Sequence, residues 1–199
     1  MDKIHIETSL QAYRLINPGV VFLVTSGNGE KQNVYAAAWN IPIRKEPGMV
    51  AIVTDKSHYS YSLITQTWEY GINIPDASLV DAVYGCGSTS GWEVDKFSRF
   101  GLTPWKAQMI TPPLIKEAIA HMECKVCQTI DMGDTVLFIA HIMVATVDPR
   151  HFKNNRWVFD NGLQLIHHIG GDRFAVSSGD IKANTPSRVF SETKNAEEK

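Results

Sequence analysis

The sequence contains few cysteines and carries little net charge. Its three cysteines, Cys86, Cys124 and Cys127, are an odd number in a chain of 199 residues, which does not indicate a disulfide framework. The formal net charge is -2 and no block of Lys and Arg occurs, whereas a protein that binds the nucleic-acid backbone needs a clustered basic face. The apolar runs fall far short of the roughly 20 residues that cross a bilayer. We therefore expect neither a nucleic-acid nor a membrane partner.

A targeting pattern is also lacking at the start of the chain. Residues 1–17 mix His5, Glu7 and Arg14 and do not show the basic-then-apolar order of a signal peptide. A cytoplasmic location is therefore predicted. Hydrophobic residues make up 44% of the sequence, enough for a core that needs no disulfide or metal. We expect one domain over residues 1–180, followed by a polar tail or arm over residues 181–199.

Cys124 and Cys127 have the C-x-x-C spacing of metal half-sites and redox pairs. A zinc site needs a second pair of Cys or His ligands, and none occurs at suitable spacing. The surrounding stretch, Met122–Ile130, has the pattern of a β-strand, in which residues three apart point to opposite faces. The sequence therefore predicts two unrelated strand cysteines and no metal site.

Apolar segments of strand length, bounded by turn residues, dominate the chain. The segments predicted as strands are Val20–Ser26, Asn33–Asn40, Met49–Asp55, Tyr70–Ile74, Lys106–Ile110, Met122–Ile130, Val136–Val147 and Leu163–Ile169. Hairpins join most of them, whereas a doubly wound sheet needs regular helical crossovers. We expect a mainly β fold with inserted helices, in the form of an antiparallel, Greek-key-like barrel.

Helices are predicted at three places by capping residues and apolar spacing. The first follows Ser57 or Ser60 as its cap, the second follows Asp76, and the third runs from a capping box at Ser90 to Gly101. One loop is predicted where Pro42, Pro47 and Gly48 occur, and the Gly/Ser-rich segment Gly85–Gly91 is predicted to be loose.

Two glycine-rich segments lack the remainder of a nucleotide-binding motif. Gly27-Asn28-Gly29 has Gln32 in place of the third glycine of a dinucleotide fingerprint, and no helical pattern follows it. Gly85–Gly91 is followed by Trp92 rather than by the Lys of a P-loop. The sequence therefore argues against a Rossmann domain and against a nucleoside triphosphatase.

Two hydroxyl-rich segments precede predicted helices and are suited to a phosphate group. Ser57-His58-Tyr59-Ser60 precedes the first helix and Ser88-Thr89-Ser90 the third, where free N–H groups and the helix dipole favour an anion. Lys96 lies within two turns of the third helix start and adds a full positive charge. The alternative is that these serines only cap their helices.

The segment Tyr35–Asn40 contains three consecutive alanines, where a strand usually prefers β-branched residues. Such small side chains let a flat ring approach the backbone, whose N–H groups then bond its oxygens and nitrogens. The alternative is that the alanines make room for a packed helix. The sequence alone leaves both interpretations open.

Taken in order, several segments resemble the flavin reductase-like family, and within it the flavoredoxin-like branch. The matching segments are Asn33–Pro42, Ser57–Ser60, Tyr70–Pro75, Gly87–Gly91, Asp95–Phe97, Met122–Val126 and His168–Gly171. The resemblance covers about residues 15–180. It departs from the family pattern at His58, where the family often has Arg, and at Ala36, where Thr is usual.

The resemblance implies a split β-barrel that binds FMN without a covalent bond, as a homodimer with the flavin near the subunit interface. It implies that the strand bearing Ala36, Ala37, Ala38, Trp39 and Asn40 lies along the isoalloxazine ring. It implies that the phosphate is held by Ser57, His58, Tyr59, Ser60, Ser88, Ser90 and Lys96, and that Asn73 lies near the flavin.

Because flavin itself carries hydride or single electrons, no catalytic acid or base is required of the protein. His168 is the candidate for a proton-handling or substrate-facing group, with its neighbour His167 facing the other way on a strand. We expect an NAD(P)H-dependent flavin oxidoreductase. The alternative is an FMN electron carrier that takes electrons from a redox protein and has no NAD(P)H site.

Overall fold

The computed structural model describes residues 12–17 and 19–182. Its main strands are β1 (Phe22–Gly27), β2 (Gln32–Ala37), β3 (Asn40–Arg44), β4 (Met49–Asp55), β5 (Glu69–Ile74), β8 (Ala120–Asp131) and β9 (Thr135–Val147). Short strand pairs are β6 (Pro104–Trp105) with β7 (Leu114–Ile115), β10 (Phe152–Lys153) with β11 (Arg156–Trp157), and β12 (Leu165–Gly170) with β13 (Arg173–Ser177). The helices are α1 (Tyr59–Thr67), α2 (Val80–Ser88) and α3 (Lys96–Arg99), with 3₁₀ turns at Ala12–Leu15 and Ala77–Leu79.

The seven main strands form one sheet in the order β2-β1-β5-β8-β9-β4-β3. Every neighbouring pair is antiparallel. The sheet curls so that its edge strand β2 approaches β4, where the Tyr35 and Thr54 hydroxyls are 2.7 Å apart. The expected split barrel is confirmed, and its seam lies between β2 and β4.

Two groups of buried apolar residues hold the fold together. One fills the barrel interior and includes Ile52, Ile72 and Phe138. The other lies between the outer face of β1–β2 and the helices α2 and α3, and includes Leu23 and Phe97. Each fully buried side chain of this size contributes about 1.5–3 kcal/mol. The second group fixes α2 and α3 against the barrel beside the alanine segment.

The segment predicted as one strand over Asn33–Asn40 is two strands. β2 ends at Ala37, and β3 begins at Asn40 on the opposite edge of the sheet. The Asn40 side-chain amide holds this corner by donating to the Val20 and Ala37 carbonyls, each at 3.0 Å. The loop predicted at Pro42 is wrong, since Pro42 lies within β3; an edge strand tolerates proline because it needs fewer ladder N–H donors.

The loop predicted over Gly85–Gly91 is wrong for Gly85–Ser88, because α2 continues to Ser88, whereas residues 89–91 do follow the helix without regular structure. Tertiary packing overrides the low helix propensity of glycine here. A Cβ built at Gly85 would lie 2.7 Å from Phe100 Cδ1, so only glycine permits this approach of α2 to the segment after α3.

The capping box at Ser90 forms a turn rather than a helix start. The Glu93 and Val94 N–H groups donate to the Ser90 carbonyl at 3.1 and 3.2 Å, and the chain then leaves the turn. The helix begins at Lys96, capped by the Asp95 carboxylate, which accepts from the Phe97 N–H at 3.0 Å. The end at Gly101 is confirmed: its φ is +65°, as a left-handed C-cap requires.

The strand predicted at Lys106–Ile110 is absent from the described residues. That segment is instead bound by a carboxylate: the buried Glu123 accepts from the Gln108 N–H at 2.9 Å and from the Met109 N–H at 2.6 Å. The hairpin partner β13 has no counterpart in the sequence prediction. The predicted tail over residues 181–199 lies, beyond residue 182, outside the described residues.

Cys86 and Cys124 are buried and Cys127 is exposed, and all three are free thiols. Burial raises the pKa of the Cys86 thiol to about 12. Within residues 12–17 and 19–182, no group of three or more His, Cys, Asp or Glu side chains is arranged to hold a metal ion. None of the helices in this part of the chain has the length and apolar character needed to cross a membrane.

Candidate functional site

A continuous cleft runs along the outer side of β2. It consists of a wide compartment of about 570 Å³ and a narrow compartment of about 320 Å³. Both volumes are in the range of small-ligand sites, roughly 300–1,000 Å³. The compartments share five lining residues, which are Tyr35, Ala36, His58, Gly87 and Ser88.

The alanine segment lines the wide compartment. Ala36, Ala37, Ala38 and Trp39 all contribute to its wall. Helix α2 also packs here, since a Cβ built at Gly87 would lie 3.3 Å from the Ala36 Cβ. Both interpretations of the alanines therefore hold. Their small side chains allow α2 to pack closely, and they also form an apolar wall of the compartment beside α2.

The mouth of the wide compartment is built by three separate parts of the chain. The Trp39 indole N–H donates to the Asn17 side-chain oxygen at 2.8 Å, and the Asn17 amide reaches the His168 carbonyl at 3.4 Å. The Tyr13 ring meets the Trp39 ring edge-to-face at 5.6 Å. The His168 ring lies 5.3 Å from the Phe174 ring. This network joins the β2–β3 corner, the first described residues and the β12–β13 hairpin.

The narrow compartment faces the start of α1. The N-cap residue is His58, whose side chain makes no capping hydrogen bond, so the caps predicted at Ser57 and Ser60 are wrong. The Ser57 hydroxyl donates instead to the Asp55 carboxylate at 2.7 Å. Because the first N–H groups of a helix have no partner within it, this uncapped end offers donors to an anion.

The second predicted helix start is wrong, because no helix of the described residues begins directly after Ser88–Ser90. Ser88 lies at the C-terminal end of α2, and Thr89 and Ser90 lie in the turn that follows. The Thr89 hydroxyl is bonded to the Gly85 carbonyl at 2.8 Å. The Ser90 hydroxyl oxygen accepts from the Trp92 N–H at 3.3 Å and keeps its own proton as a donor.

Lys96 forms the charged wall of the narrow compartment. Its side chain is buried, with 3% of the residue exposed, and its ammonium donates to the Cys86 carbonyl at 2.6 Å. Among the described residues no carboxylate lies within 4 Å of it. Burial lowers the pKa of this ammonium. An ammonium has three donors, and a buried charge without a counter-ion is costly, so this arrangement favours an anionic ligand.

His58 stands where the two compartments meet. Burial against the cavity walls lowers the pKa of its imidazole; the Asp55 carboxylate opposes this effect and the Lys96 ammonium adds to it. Asp55 itself has a lowered pKa because Ser57 donates to it through both its hydroxyl and its N–H. The lowered pKa favours the neutral imidazole of His58 near pH 7.

Eleven of the fourteen predicted site residues line the cleft. Those lining it are Ala36, Ala37, Ala38, Trp39, Ser57, His58, Tyr59, Ser88, Ser90 and Lys96, together with His168 at the mouth. Three line neither compartment, and their amides or hydroxyl are bonded within the protein: Asn40, Ser60 and Asn73. Asn73 is buried and also accepts from the Ile115 N–H at 2.7 Å.

Several cleft residues lay outside the sequence prediction. They are Tyr13, Arg14, Asn17, Asn33, Val53, Asp55, Tyr84, Thr135 and Phe174. Asn33 begins a predicted strand, and its polar side chain was the signal in the sequence, because an Asn that is buried in a strand needs a hydrogen-bond partner. Its amide donates to the Ser60 hydroxyl at 3.0 Å. The cleft residues before Pro18 or after Gly171 had no signal in the sequence, because only the folding of the whole domain brings them to the cleft.

Comparison with known proteins places these features in a family. The model of the flavin reductase like domain matches residues 13–170. YddH, an uncharacterized protein of Escherichia coli (strain K12), is 34% identical over 177 residues, which cover 86% of the chain and 94% of YddH.

Two solved structures are similar over nearly the whole chain. Flavoredoxin of Desulfovibrio vulgaris (Miyazaki F) is 27% identical, with a TM-score of 0.77, over 92% of this chain and 99% of flavoredoxin. An FMN-binding domain of a flavin reductases-like enzyme from Shewanella baltica OS155 is 26% identical, with a TM-score of 0.76, over 90% of this chain and 96% of that domain.

Proposed function

Because the chain belongs to the flavin reductase-like family, we propose that its cleft binds FMN without a covalent bond and that the protein is an NAD(P)H-dependent flavin oxidoreductase. The similar protein from Shewanella baltica is described as an FMN-binding domain. The shape of the cleft supports the same ligand, since a wide apolar compartment continues into a narrow one rich in hydroxyls.

The observation that carries this proposal is the buried ammonium of Lys96. It lines the narrow compartment together with the uncapped start of α1 at His58 and the hydroxyl of Ser90. A phosphate would supply the missing counter-charge and would accept from all three. The residues present therefore fit the phosphate end of FMN.

The predicted residues take distinct roles in this proposal. Ala36, Ala37, Ala38 and Trp39 would bound the ring, and Ser57, Tyr59, Ser88 and Ser90 would surround the phosphate with His58 and Lys96. Asn40, Ser60 and Asn73 would shape the site from behind. Ser60 does so through its hydroxyl, which accepts from Asn33 at 3.0 Å.

When bound, FMN supplies hydride or single-electron transfer. The chain positions the ring, excludes water from the alanine wall and holds a proton-exchanging group at the mouth. We assign that last role to His168. Its Nε2 lies 3.0 Å from the Gly171 carbonyl, which fixes the proton on Nε2 and leaves Nδ1 as the atom that can exchange one.

The alternative is an FMN electron carrier, favoured by the similarity to flavoredoxin. Stopped-flow mixing of the FMN-loaded protein with NADH, and separately with NADPH, distinguishes the two. Rapid bleaching of flavin absorbance by either nucleotide supports the reductase. Reduction only by a reduced redox protein supports the carrier.

FMN binding itself is tested by thermal unfolding and by flavin fluorescence. A ligand at 100 times its dissociation constant stabilises a protein by about 2.7 kcal/mol. We expect FMN to raise the melting temperature and riboflavin, which lacks the phosphate, to raise it less. If saturating FMN changes neither the melting temperature nor its own fluorescence, the proposal fails.

A further inference from the structure

The wide compartment has an outer end, next to the alanine wall and sharing Trp39 with it, whose other lining residues have no role in holding the phosphate. Its lining there is aromatic, and the residues concerned are Tyr13, Trp39, Tyr84, His168 and Phe174. Three of them are large and well exposed: Trp39 at 49%, Tyr84 at 45% and Tyr13 at 40%. Exposed aromatic rings that converge on one cavity provide stacking surface for a planar ligand.

This aromatic end is held in place before any ligand arrives. Trp39 is fixed by its bond to Asn17 at 2.8 Å and by its edge-to-face contact with Tyr13. On the other side, His168 is fixed by its bond to the Gly171 carbonyl at 3.0 Å. Preorganised walls lower the entropic cost of binding, which is typical of a ligand site and not of scattered surface residues.

Arg14 places a positive charge beside this aromatic end. The Arg14 guanidinium lies 5.3 Å from the Tyr13 ring centroid, and its Nη1 lies 3.2 Å from the position a Cβ would take at Gly170. Within the part of the chain that the structure describes, no carboxylate lies within 4 Å of Arg14. The carboxylate that also lines this compartment, Asp55, is engaged by Ser57 next to α1.

From this combination we infer that the outer end of the wide compartment binds a small planar aromatic carboxylate. Its ring would lie among Tyr13, Trp39 and Phe174, and its carboxylate would meet the Arg14 guanidinium, whose planar fork matches two carboxylate oxygens. The inference deepens the proposed function, because it names the substrate class that would lie beside a flavin on the alanine wall.

The test uses isothermal titration calorimetry on the purified full-length chain, whose flavin content is first measured by absorbance. The probes are benzoate, the uncharged isostere benzamide, and the non-aromatic cyclohexanecarboxylate. We expect benzoate to bind most tightly. Because Arg14 is exposed, Arg14→Gln should weaken benzoate binding by about two- to fivefold and should leave benzamide binding unchanged.

Two controls separate this site from the rest of the molecule. Arg44→Gln removes an exposed arginine of β3 that lines neither compartment, and it should leave benzoate binding unchanged. Trp39→Leu should weaken benzoate and benzamide alike, by about 2- to 10-fold, because it removes a stacking surface.

Several outcomes would overturn the inference. Benzoate and benzamide binding with equal affinity, or an equal loss in Arg14→Gln and Arg44→Gln, would remove the role of Arg14. A loss of NADH affinity in Arg14→Gln with unchanged benzoate binding would assign this end to the nicotinamide donor. If the protein takes up no FMN, the proposed function fails, and the same titrations on the flavin-free chain still decide the aromatic-carboxylate site.

Discussion

Gly91 lies directly against the side-chain amide of Asn33. A Cβ built at Gly91 would stand 2.6 Å from both Asn33 Cγ and Asn33 Nδ2, closer than a real side chain approaches. The buried Asn33 in turn donates to the Ser60 hydroxyl at 3.0 Å, and Ser60 also receives a bond from Ser26 at 3.1 Å. Buried hydrogen bonds from Asn33 and Ser26 to Ser60 therefore support the wall of the narrow compartment beside Gly91.

Gly91→Ala should displace the Asn33 amide and weaken FMN binding. Overpacking of this kind costs about 1–3 kcal/mol of folding stability, and the broken bond to Ser60 adds to the loss. Thermal unfolding and FMN titration measure both effects. Gly179→Ala is the matched control, because nothing lies within 4 Å of the Cβ it would add. Equal behaviour of the two variants would contradict the tight contact.

The two strand cysteines should respond differently to replacement by serine. Cys124 is fully buried in the barrel, so Cys124→Ser places a hydroxyl in an apolar site and should cost about 1–3 kcal/mol of stability. Cys127 is exposed, so Cys127→Ser should change stability by less than about 0.5 kcal/mol. Neither should lose flavin. Chemical denaturation and flavin absorbance check this, and loss of redox activity in Cys127→Ser would revive the C-x-x-C interpretation.

The chain is expected to form a homodimer, with β3 as the edge that carries exposed apolar side chains. Ile41 and Ile43 are 55% and 46% exposed on this edge strand. Light scattering at low micromolar concentration should give about twice the chain mass of 22.2 kDa. A combined Ile41→Lys and Ile43→Lys variant should weaken the dimer at least about tenfold, since buried interface positions exclude charge. A wild-type species of single-chain mass would contradict the prediction.

The barrel was predictable because its strands carry their own signals. The span of β4 matches the predicted segment residue for residue, and β8 and β9 were each predicted to within two residues. The β8–β9 hairpin can be recognised from its own residues, because apolar residues alternate along both strands and Gly133, whose φ is +85°, provides the turn between them.

The helical side of the site was less predictable because it depends on tertiary contacts. Nothing local distinguishes the helical Gly85–Ser88 from a glycine loop; the close packing of Phe100 on Gly85 does. Likewise, Ser90 has the local pattern of a capping box, but Asp95 supplies the cap that is used. Cleft residues from the first described segment and from β13 come together only after the chain has folded.

FMN affinity should fall as the pH rises through the alkaline range. Burial lowers the pKa of Lys96 below its usual 10.5, and this ammonium must be charged to pair with phosphate. In the flavin-free protein Lys96 therefore loses its proton at a lower pH than an exposed lysine, and binding then requires proton uptake. The phosphate is fully ionised well above its pKa of about 6 and contributes nothing to the change. Fluorescence titrations between about pH 7 and 10.5 should show the fall in wild type, and a flat profile in Lys96→Met would assign it to this residue.

Lys96→Met should separate phosphate recognition from the integrity of the fold. Methionine keeps an unbranched apolar chain in the buried position, while it removes the ammonium and its 2.6 Å bond to the Cys86 carbonyl. A hydrogen bond to a charged group contributes about 1.5–3 kcal/mol, so the dissociation constant for FMN should rise about 10- to 150-fold. Riboflavin has no phosphate and should bind the variant about as well as it binds wild type. Ser98→Ala, on the exposed side of α3, is the control and should change neither constant. Equal losses for FMN and riboflavin would place Lys96 away from the phosphate, and its buried ammonium would then act only to join α3 to the end of α2.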